Sequence, residues 1–174
     1  MRSMLLVATV LAVGTASVAA RAADEPTRWS VSLGPWYGHN LKETDSGSST
    51  KSSNLLGPEL RVEYALGPSW SVYGDLVAFN TGSSAESNGS GGRAAIGLNH
   101  QWNLGAWHPY VGPKVGYIGG SGVEDGTIVG PEAGVKVNLT DTMFVHAQIA
   151  YDHDTRNSFD EGIVNGGVGF GARF

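Results

Sequence analysis

The residues of this sequence that could do chemistry are mostly charged side chains in regularly alternating segments. Glu59, Arg61 and Glu63 lie two apart, and Glu132 and Lys136 lie four apart in a similar setting. Mixed acids and bases of this kind can neutralise one another in a buried network, or they can line a path for ions. The charged residues in such settings are Glu59, Arg61, Glu63, Asp75, Lys114, Glu132, Lys136 and Arg173. The elements that carry them decide between these roles.

Motifs for catalysis or metal binding are weak. The chain has no Cys, which excludes a thiol nucleophile and a zinc-thiolate site. Asp152-His153-Asp154, with Asp160 and Glu161, could hold a divalent cation, but the spacing matches no specific motif, and we favour a solvated acidic link. We therefore predict no catalytic residue, no metal and no cofactor. Three histidines near predicted strand ends are expected to be solvated: His39, His108 and His153.

Composition predicts a single domain outside the usual soluble class. The chain has 174 residues, of which 16% are charged, whereas soluble domains usually carry about 25%. Aromatic and β-branched residues are frequent enough to argue against disorder. The formal charge of −5 argues against a nucleic-acid partner, because the binding faces of such proteins are basic.

The first segment has the pattern of a secretory signal peptide. Arg2 supplies the positive start, residues 4–13 are apolar, and Ala20-Arg21-Ala22 is a small-x-small cleavage signal. The alternative is a transmembrane helix, but the apolar run is shorter than the roughly 20 residues that a span requires. We expect residues 1–22 to be a signal peptide and residues 23–174 to form the mature domain.

Alternating apolar and polar residues predict eight strands after residue 23. The segments lie at about 28–39, 55–66, 70–80, 93–104, 107–118, 127–139, 143–152 and 162–174. Tight turns are expected at 67–69, 105–106 and 140–142, and longer polar links near 40–54, 81–92, 119–126 and 153–161. If neighbouring strands pair, all tight turns lie at one end and all long links at the other, which is typical of outer-membrane barrels.

The two faces of the predicted strands differ sharply in charge. In the second strand Leu60, Val62 and Tyr64 share a face, and the charged residues lie on the other. The apolar faces of the eight segments contain no Asp, Glu, Lys or Arg, although His100 lies on one of them. Two structures fit: a soluble barrel with its apolar face inward around a greasy ligand, or a membrane barrel with that face in lipid.

Aromatic residues favour the membrane barrel. Four Trp cluster on the apolar face at the tight-turn end, and three Tyr lie on that face at the other end, as two interfacial girdles would. We therefore predict an all-β, eight-stranded antiparallel up-and-down transmembrane β-barrel. An eight-stranded interior is just wide enough for side chains to fill, so the charged face should form a bonded network, the alternative being a small gated ion path. The girdle residues are Trp29, Trp70, Trp102, Trp107, Tyr37, Tyr117 and Tyr151.

An internal echo runs through the sequence. Residues 57–63, GPELRVE, resemble residues 130–136, GPEAGVK, and Leu33-Gly34-Pro35 resembles Val111-Gly112-Pro113. Duplication of a four-strand unit would explain this echo, and so would convergence of similar strands. Because proline cannot donate a ladder hydrogen bond, we expect local bulges at these prolines.

The sequence resembles the small eight-stranded outer-membrane proteins of Gram-negative bacteria, of the OmpX/Ail and OmpA transmembrane-domain type. The resemblance rests on residues 109–117, 134–136 and 168–174, and its alternating pattern covers the mature chain. It implies that Phe170 and Phe174 belong to an assembly signal read by the barrel-insertion machinery, although Ala172 is smaller than the usual residue. Lipid A deacylases of similar size carry a His-x-Ser pair, whereas the nearest match here, His146-Ala147-Gln148, lacks the Ser.

These observations predict a non-enzymatic integral protein of the bacterial outer membrane, exported after cleavage of its signal peptide. It would display four polar extracellular loops, in a structural or surface-interaction role. The expected partners are outer-membrane lipid and lipopolysaccharide, the export and barrel-assembly machinery, and no nucleic acid, with the barrel as a monomer. The alternatives are a small gated ion pore and a lipid A-modifying enzyme.

Overall fold

The computed structural model describes residues 28–41, 54–82, 89–121, 123–156 and 162–174, and these form eight strands. The predicted signal peptide, residues 1–22, lies outside them. Two strands differ from the predicted bounds by more than two residues, since the fourth begins and ends earlier and the sixth begins at Val123. The strands are β1 Trp29–Asn40, β2 Asn54–Ala65, β3 Trp70–Gly82, β4 Gly89–Gln101, β5 Trp107–Gly120, β6 Val123–Asn138, β7 Met143–Asp154 and β8 Gly162–Arg173.

The strands close into one barrel. Each strand pairs antiparallel with the next along the chain, and β8 pairs with β1. Closure leaves no sheet edge, so ladder partners exist all around the wall. Beyond the last strand, the amide of Phe174 donates to the carbonyl of Trp29 at 2.9 Å, and the amide of Trp29 donates back at 3.1 Å. The predicted fold class is confirmed.

The links between strands differ in length at the two ends of the barrel. Residues 66–69, 104–106 and 139–142 make tight turns at one end, which we call the short-turn end. Gly105 has a φ of 72°, a left-handed conformation that favours glycine in so short a turn. At the opposite end, the long-link end, the links between strands include residues that the structure does not describe. The link between β5 and β6 is shorter than predicted, since the two strands are separated only by residues 121–122.

Side chains alternate between the outer face and the lumen, as the period of two requires. Leu76, Ile96 and Ile149 point outward and are 58%, 62% and 60% exposed. Glu132 and Asp75 point inward and are each 1% exposed. The outer face is therefore apolar and the charges are internal, which is the inverse of a soluble fold and suits a lipid solvent.

The expected bulges at the prolines are wrong. Pro35 pairs with Pro58, and Pro113 pairs with Pro131, without a change of register on either side. The register shift found among the described residues lies between Ile118 and Gly120 instead.

The glycine that precedes each proline explains how the wall tolerates the missing donor. A Cβ on Gly34, Gly57, Gly112 or Gly130 would lie 1.7–1.9 Å from a carbonyl oxygen of the neighbouring strand. That carbonyl belongs to the residue opposite the proline, which has no N–H to donate to it, so it rests against the glycine Cα instead. The same arrangement occurs in β1–β2 and again in β5–β6, the two places of the sequence echo.

Candidate functional site: the filled lumen

Apolar side chains fill the lumen at its long-link end. Trp36 and Leu55 are 0% exposed, and five further apolar residues pack with them. The sequence analysis assigned only polar and charged side chains to the interior and missed this cluster, which we call the apolar plug. Its members are Trp36, Leu55, Val77, Phe79, Ile118, Ile128 and Ile163.

Charged and polar side chains form a central network beneath the plug. The Arg61 guanidinium donates from Nη1 to Glu132 Oε1 at 2.7 Å and to Gln148 Oε1 at 2.5 Å. Tyr73 donates its hydroxyl to the other Glu132 oxygen at 2.8 Å, and its ring centroid lies 3.6 Å from the Arg61 Cζ. Gln148 donates its amide to both oxygens of Glu59, at 2.7 and 2.9 Å. Arg61 of β2 is thus joined directly to Glu132 of β6, and the neutral amide of Gln148 from β7 joins Arg61 to Glu59 within β2.

A second tier of the central network lies closer to the plug. Arg93 binds Asp75 through Nη1 at 2.8 Å and Asp152 through Nε at 3.0 Å. Lys114 lies 2.8 Å from Asp152 and 4.0 Å from Glu132, so it connects the two tiers.

One amide connects this upper tier to the plug. Asn165 donates to Asp152 at 2.9 Å and accepts from the Trp36 indole at 3.2 Å. Buried charges are costly unless paired, and here each acid has a cationic, amide or hydroxyl partner.

The short-turn end of the lumen is polar and partly open. Lys136 binds Glu63, and a cavity of about 260 Å³ opens beside this pair. Arg173 lines the cavity and is half-buried, with its guanidinium 5.0 Å from the Phe144 ring, so it lies at the mouth rather than in the central network. We call this cavity the mouth pocket.

The structure corrects the interpretation of the acidic link after β7. Asp152 lies within β7, is 1% exposed and pairs with Arg93 and Lys114, so it is not part of a solvated loop. His153 is 8% exposed rather than solvated, whereas His39 is exposed and His108 half-buried. Residues 160 and 161 lie outside the described part. Among the described residues, no group of three His, Cys, Asp or Glu is placed to hold a metal ion.

Sequence reasoning missed Arg93, Tyr73 and Asn165 as members of the network. Arg93 is 2% exposed, but it stood at the predicted edge of its strand, next to a long link. Two signals could have identified Arg93: it lies an even number of residues from the other inward-facing positions of β4, and it is the only basic charge in that strand. Tyr73 shares the inward parity of Asp75, and the same signal applies to it.

The aromatic residues predicted to form the two girdles lie on the outer face near the two ends of the barrel. The four Trp at the short-turn end are between 46% and 57% exposed, and Tyr37 and Tyr117 at the long-link end are 47% and 55% exposed. Tyr151 is half-buried, and Phe170 faces outward with 47% of its surface exposed. Between these levels the outer face presents aliphatic side chains. Among the described residues there is no helix with the length and hydropathy of a membrane span.

A closed antiparallel barrel with an apolar outer face, aromatic girdles and internal charges defines the class of transmembrane β-barrels. The chain belongs to the outer membrane protein beta-barrel domain family, whose model matches residues 8–174. It is therefore an outer-membrane β-barrel protein of the bacterial type.

Solved structures support the fold at low sequence identity. Ail, the attachment invasion locus protein of Yersinia pestis, is 18% identical, with 86% of this chain and 100% of that chain covered and a TM-score of 0.57. OprG from Pseudomonas aeruginosa is 12% identical, with 86% and 97% covered and a TM-score of 0.64. Neisserial surface protein A is 13% identical, with 83% and 95% covered and a TM-score of 0.60. No curated protein matches the sequence.

Proposed function

We propose that this protein is a closed, non-enzymatic barrel that carries four polar segments on the cell surface, in a structural or surface-interaction role. The single observation that supports a closed barrel best is the apolar plug, because seven tightly packed apolar side chains leave ions no hydrated path at that end. The central network supports the same conclusion, since its charges bind one another.

Conductance in a planar bilayer tests the closed barrel against the rival ion pore. The proposal predicts no steady conductance from the purified wild-type protein. A Trp36→Gly/Phe79→Gly double variant, which removes the two largest side chains of the plug, is measured beside the wild type, because it should conduct more readily if the plug closes the lumen. Steady, large conductance from the wild type would promote the pore and reject the closed barrel.

A lipid A-modifying activity is the second rival. His146 lies inside the lumen, is 5% exposed and has the ring of Phe144 beside it at 6.3 Å, so lipid at the outer face has no access to its imidazole. We expect lipid A from cells that overproduce the barrel to be unchanged by mass analysis. A His146-dependent loss or gain of an acyl chain would show an enzyme.

The orientation that fits this role places both termini and the short-turn end in the periplasm. The girdles would then contact phospholipid at the short-turn end and lipopolysaccharide at the long-link end. The segments between strands at that end, residues 41–53, 83–88, 121–122 and 155–161, contain five acidic and three basic residues. Ail has been solved with the heparin analogue sucrose octasulfate. The acidic excess here argues against a polyanion ligand, and we expect sucrose octasulfate to show no saturable binding.

The barrel-assembly machinery is the proposed partner of the C-terminal strand. Phe170 faces outward, and the backbone of Phe174 bonds to Trp29 where β8 meets β1. Deleting Phe174 should reduce insertion in cells far more than it reduces refolding into detergent. Met143→Ala, which truncates another side chain of the outer face, is the control. Equal loss in both assays would mean that Phe174 contributes packing alone. The barrel is proposed to act as a monomer.

A further inference from the structure

The mouth pocket has a charge opposite to that of the whole protein. Arg28, Lys136 and Arg173 line it together with one acid, Glu63, so bases outnumber acids among the described residues of its lining. The full chain carries −5. A concave site with one sign of charge focuses counter-ions, so the short-turn end should concentrate anions.

Arg173 is the cationic group of the pocket best placed to bind an anion. Its guanidinium is half-buried against the Phe144 ring, and among the described residues no carboxylate lies within ion-pair distance of it. Phe144 is itself 2% exposed, so the arginine rests on a fixed surface. A guanidinium held in this way presents its N–H edge as a fork that matches an oxyanion.

The floor of the pocket supplies further donors. Lys136 is 6% exposed and shares its ammonium with Glu63, while Gln101 and Asn103 bring side-chain amides to the same space. The apolar plug closes the opposite end of the lumen, so the pocket is a dead end rather than part of a channel.

We propose that the mouth pocket binds a single phosphate oxyanion, held by Arg173 and Lys136. The volume of about 260 Å³ suits a small tetrahedral anion. Trp29, a girdle residue, also lines the pocket, so the phosphate can come from solution or from the headgroup of a neighbouring phospholipid.

The test is a titration of the folded barrel in a non-ionic, lipid-free detergent with inorganic phosphate, followed by phosphorus NMR line broadening at ionic strength held constant with chloride. Wild type should bind saturably, and Arg173→Gln should weaken binding by about tenfold or more. The matched control is Arg156→Gln, which removes the same charge at the long-link end, where Arg156 pairs with Asp154 at 2.8 Å. This control should bind within about twofold of wild type.

A variant that removes a negative charge from the pocket distinguishes a change in binding from a folding defect. Glu63→Gln raises the pocket charge and should tighten phosphate binding, which general damage to the barrel would not do. Heat-modified gel mobility verifies that each variant is folded. Equal binding by the Arg173 and Arg156 variants, or no saturable binding by wild type, would overturn the proposal.

A bilayer arm identifies the source of the phosphate. If phosphatidylglycerol nanodiscs suppress the binding of inorganic phosphate seen in detergent, a headgroup occupies the pocket. If the binding persists there, the ligand is the free anion.

Discussion

Apolar side chains fill the lumen at the long-link end, whereas charges fill its middle and a cationic pocket opens at the short-turn end. The plug needs only close packing, since none of its seven side chains except Trp36 carries a polar atom, and that indole bonds to Asn165. In the charged part each buried polar group needs its own hydrogen-bond partner, and among the described residues the side chains of Asn99 and His146 have none. This difference is the basis of the proposal that one end seals the barrel and the other is suited to hydration and ligands.

The network should be the more sensitive of the two regions to loss of one group. Glu132→Ala removes the closest carboxylate of Arg61 and the acceptor of the Tyr73 hydroxyl, and leaves the buried guanidinium with Gln148 and the more distant Glu63 at 3.7 Å, which should lower the free energy of unfolding by about 3–5 kcal/mol. The measurement is the unfolding midpoint in detergent. A neutral result would mean that the lumen around Arg61 is already hydrated.

A double variant apportions this loss. Arg61→Met with Glu132→Ala removes both charges and should recover part of the stability that Glu132→Ala loses. If the loss of stability in the double variant equals the sum of the losses in the Arg61→Met and Glu132→Ala single variants, the pair is not coupled and the network is weaker than its geometry indicates.

The outer face provides a reference for both ends of the lumen, because its side chains should contact hydrocarbon and should not tolerate a charge. Ile96 is 62% exposed near the middle of β4, so Ile96→Arg should cost about 2–4 kcal/mol in a bilayer. Ile96→Leu is the matched control and should be close to neutral. If arginine is tolerated there, the outer face is not in hydrocarbon, and the assignment of inside and outside is reversed.

The plug should tolerate small changes of volume. Ile163→Val removes one methylene from a residue that is 7% exposed and should cost about 0.5–1.5 kcal/mol. Equilibrium unfolding against wild type measures this effect. A cost as large as that of Glu132→Ala would place the main stabilisation in the plug and reverse the comparison.

The number of strands and the assignment of their two faces could be predicted from the sequence because a strand has a fixed period of two. That period assigns Glu59, Arg61 and Glu63 to the lumen without knowledge of any neighbour. The period breaks where apolar residues are adjacent, as in Leu55-Leu56, Ile128-Val129 and Ile163-Val164 near the long-link ends. These adjacent pairs were the available signal for the plug.

The pairings inside the lumen could not be predicted. They join residues up to 129 positions apart, such as Trp36 and Asn165, and depend on the tilt and stagger of the closed wall. Glu59 and Glu132 occupy equivalent positions in the sequence echo, yet their partners differ. Arg61 binds Glu132, whereas Glu59 is reached through Gln148, an outcome that only three-dimensional geometry specifies.

The central claim, a lumen sealed at one end and accessible at the other, is tested most directly by thiol labelling. The native chain has no Cys, so single cysteines report their own positions without background. In the folded barrel, a charged, water-soluble thiol reagent should label Ser30→Cys in the mouth pocket and Ala106→Cys in an exposed turn, and should leave Val77→Cys in the plug unlabelled until the protein is denatured. Labelling of Val77→Cys as fast as Ser30→Cys would contradict the account, because it would show that water and solutes pass through the plug.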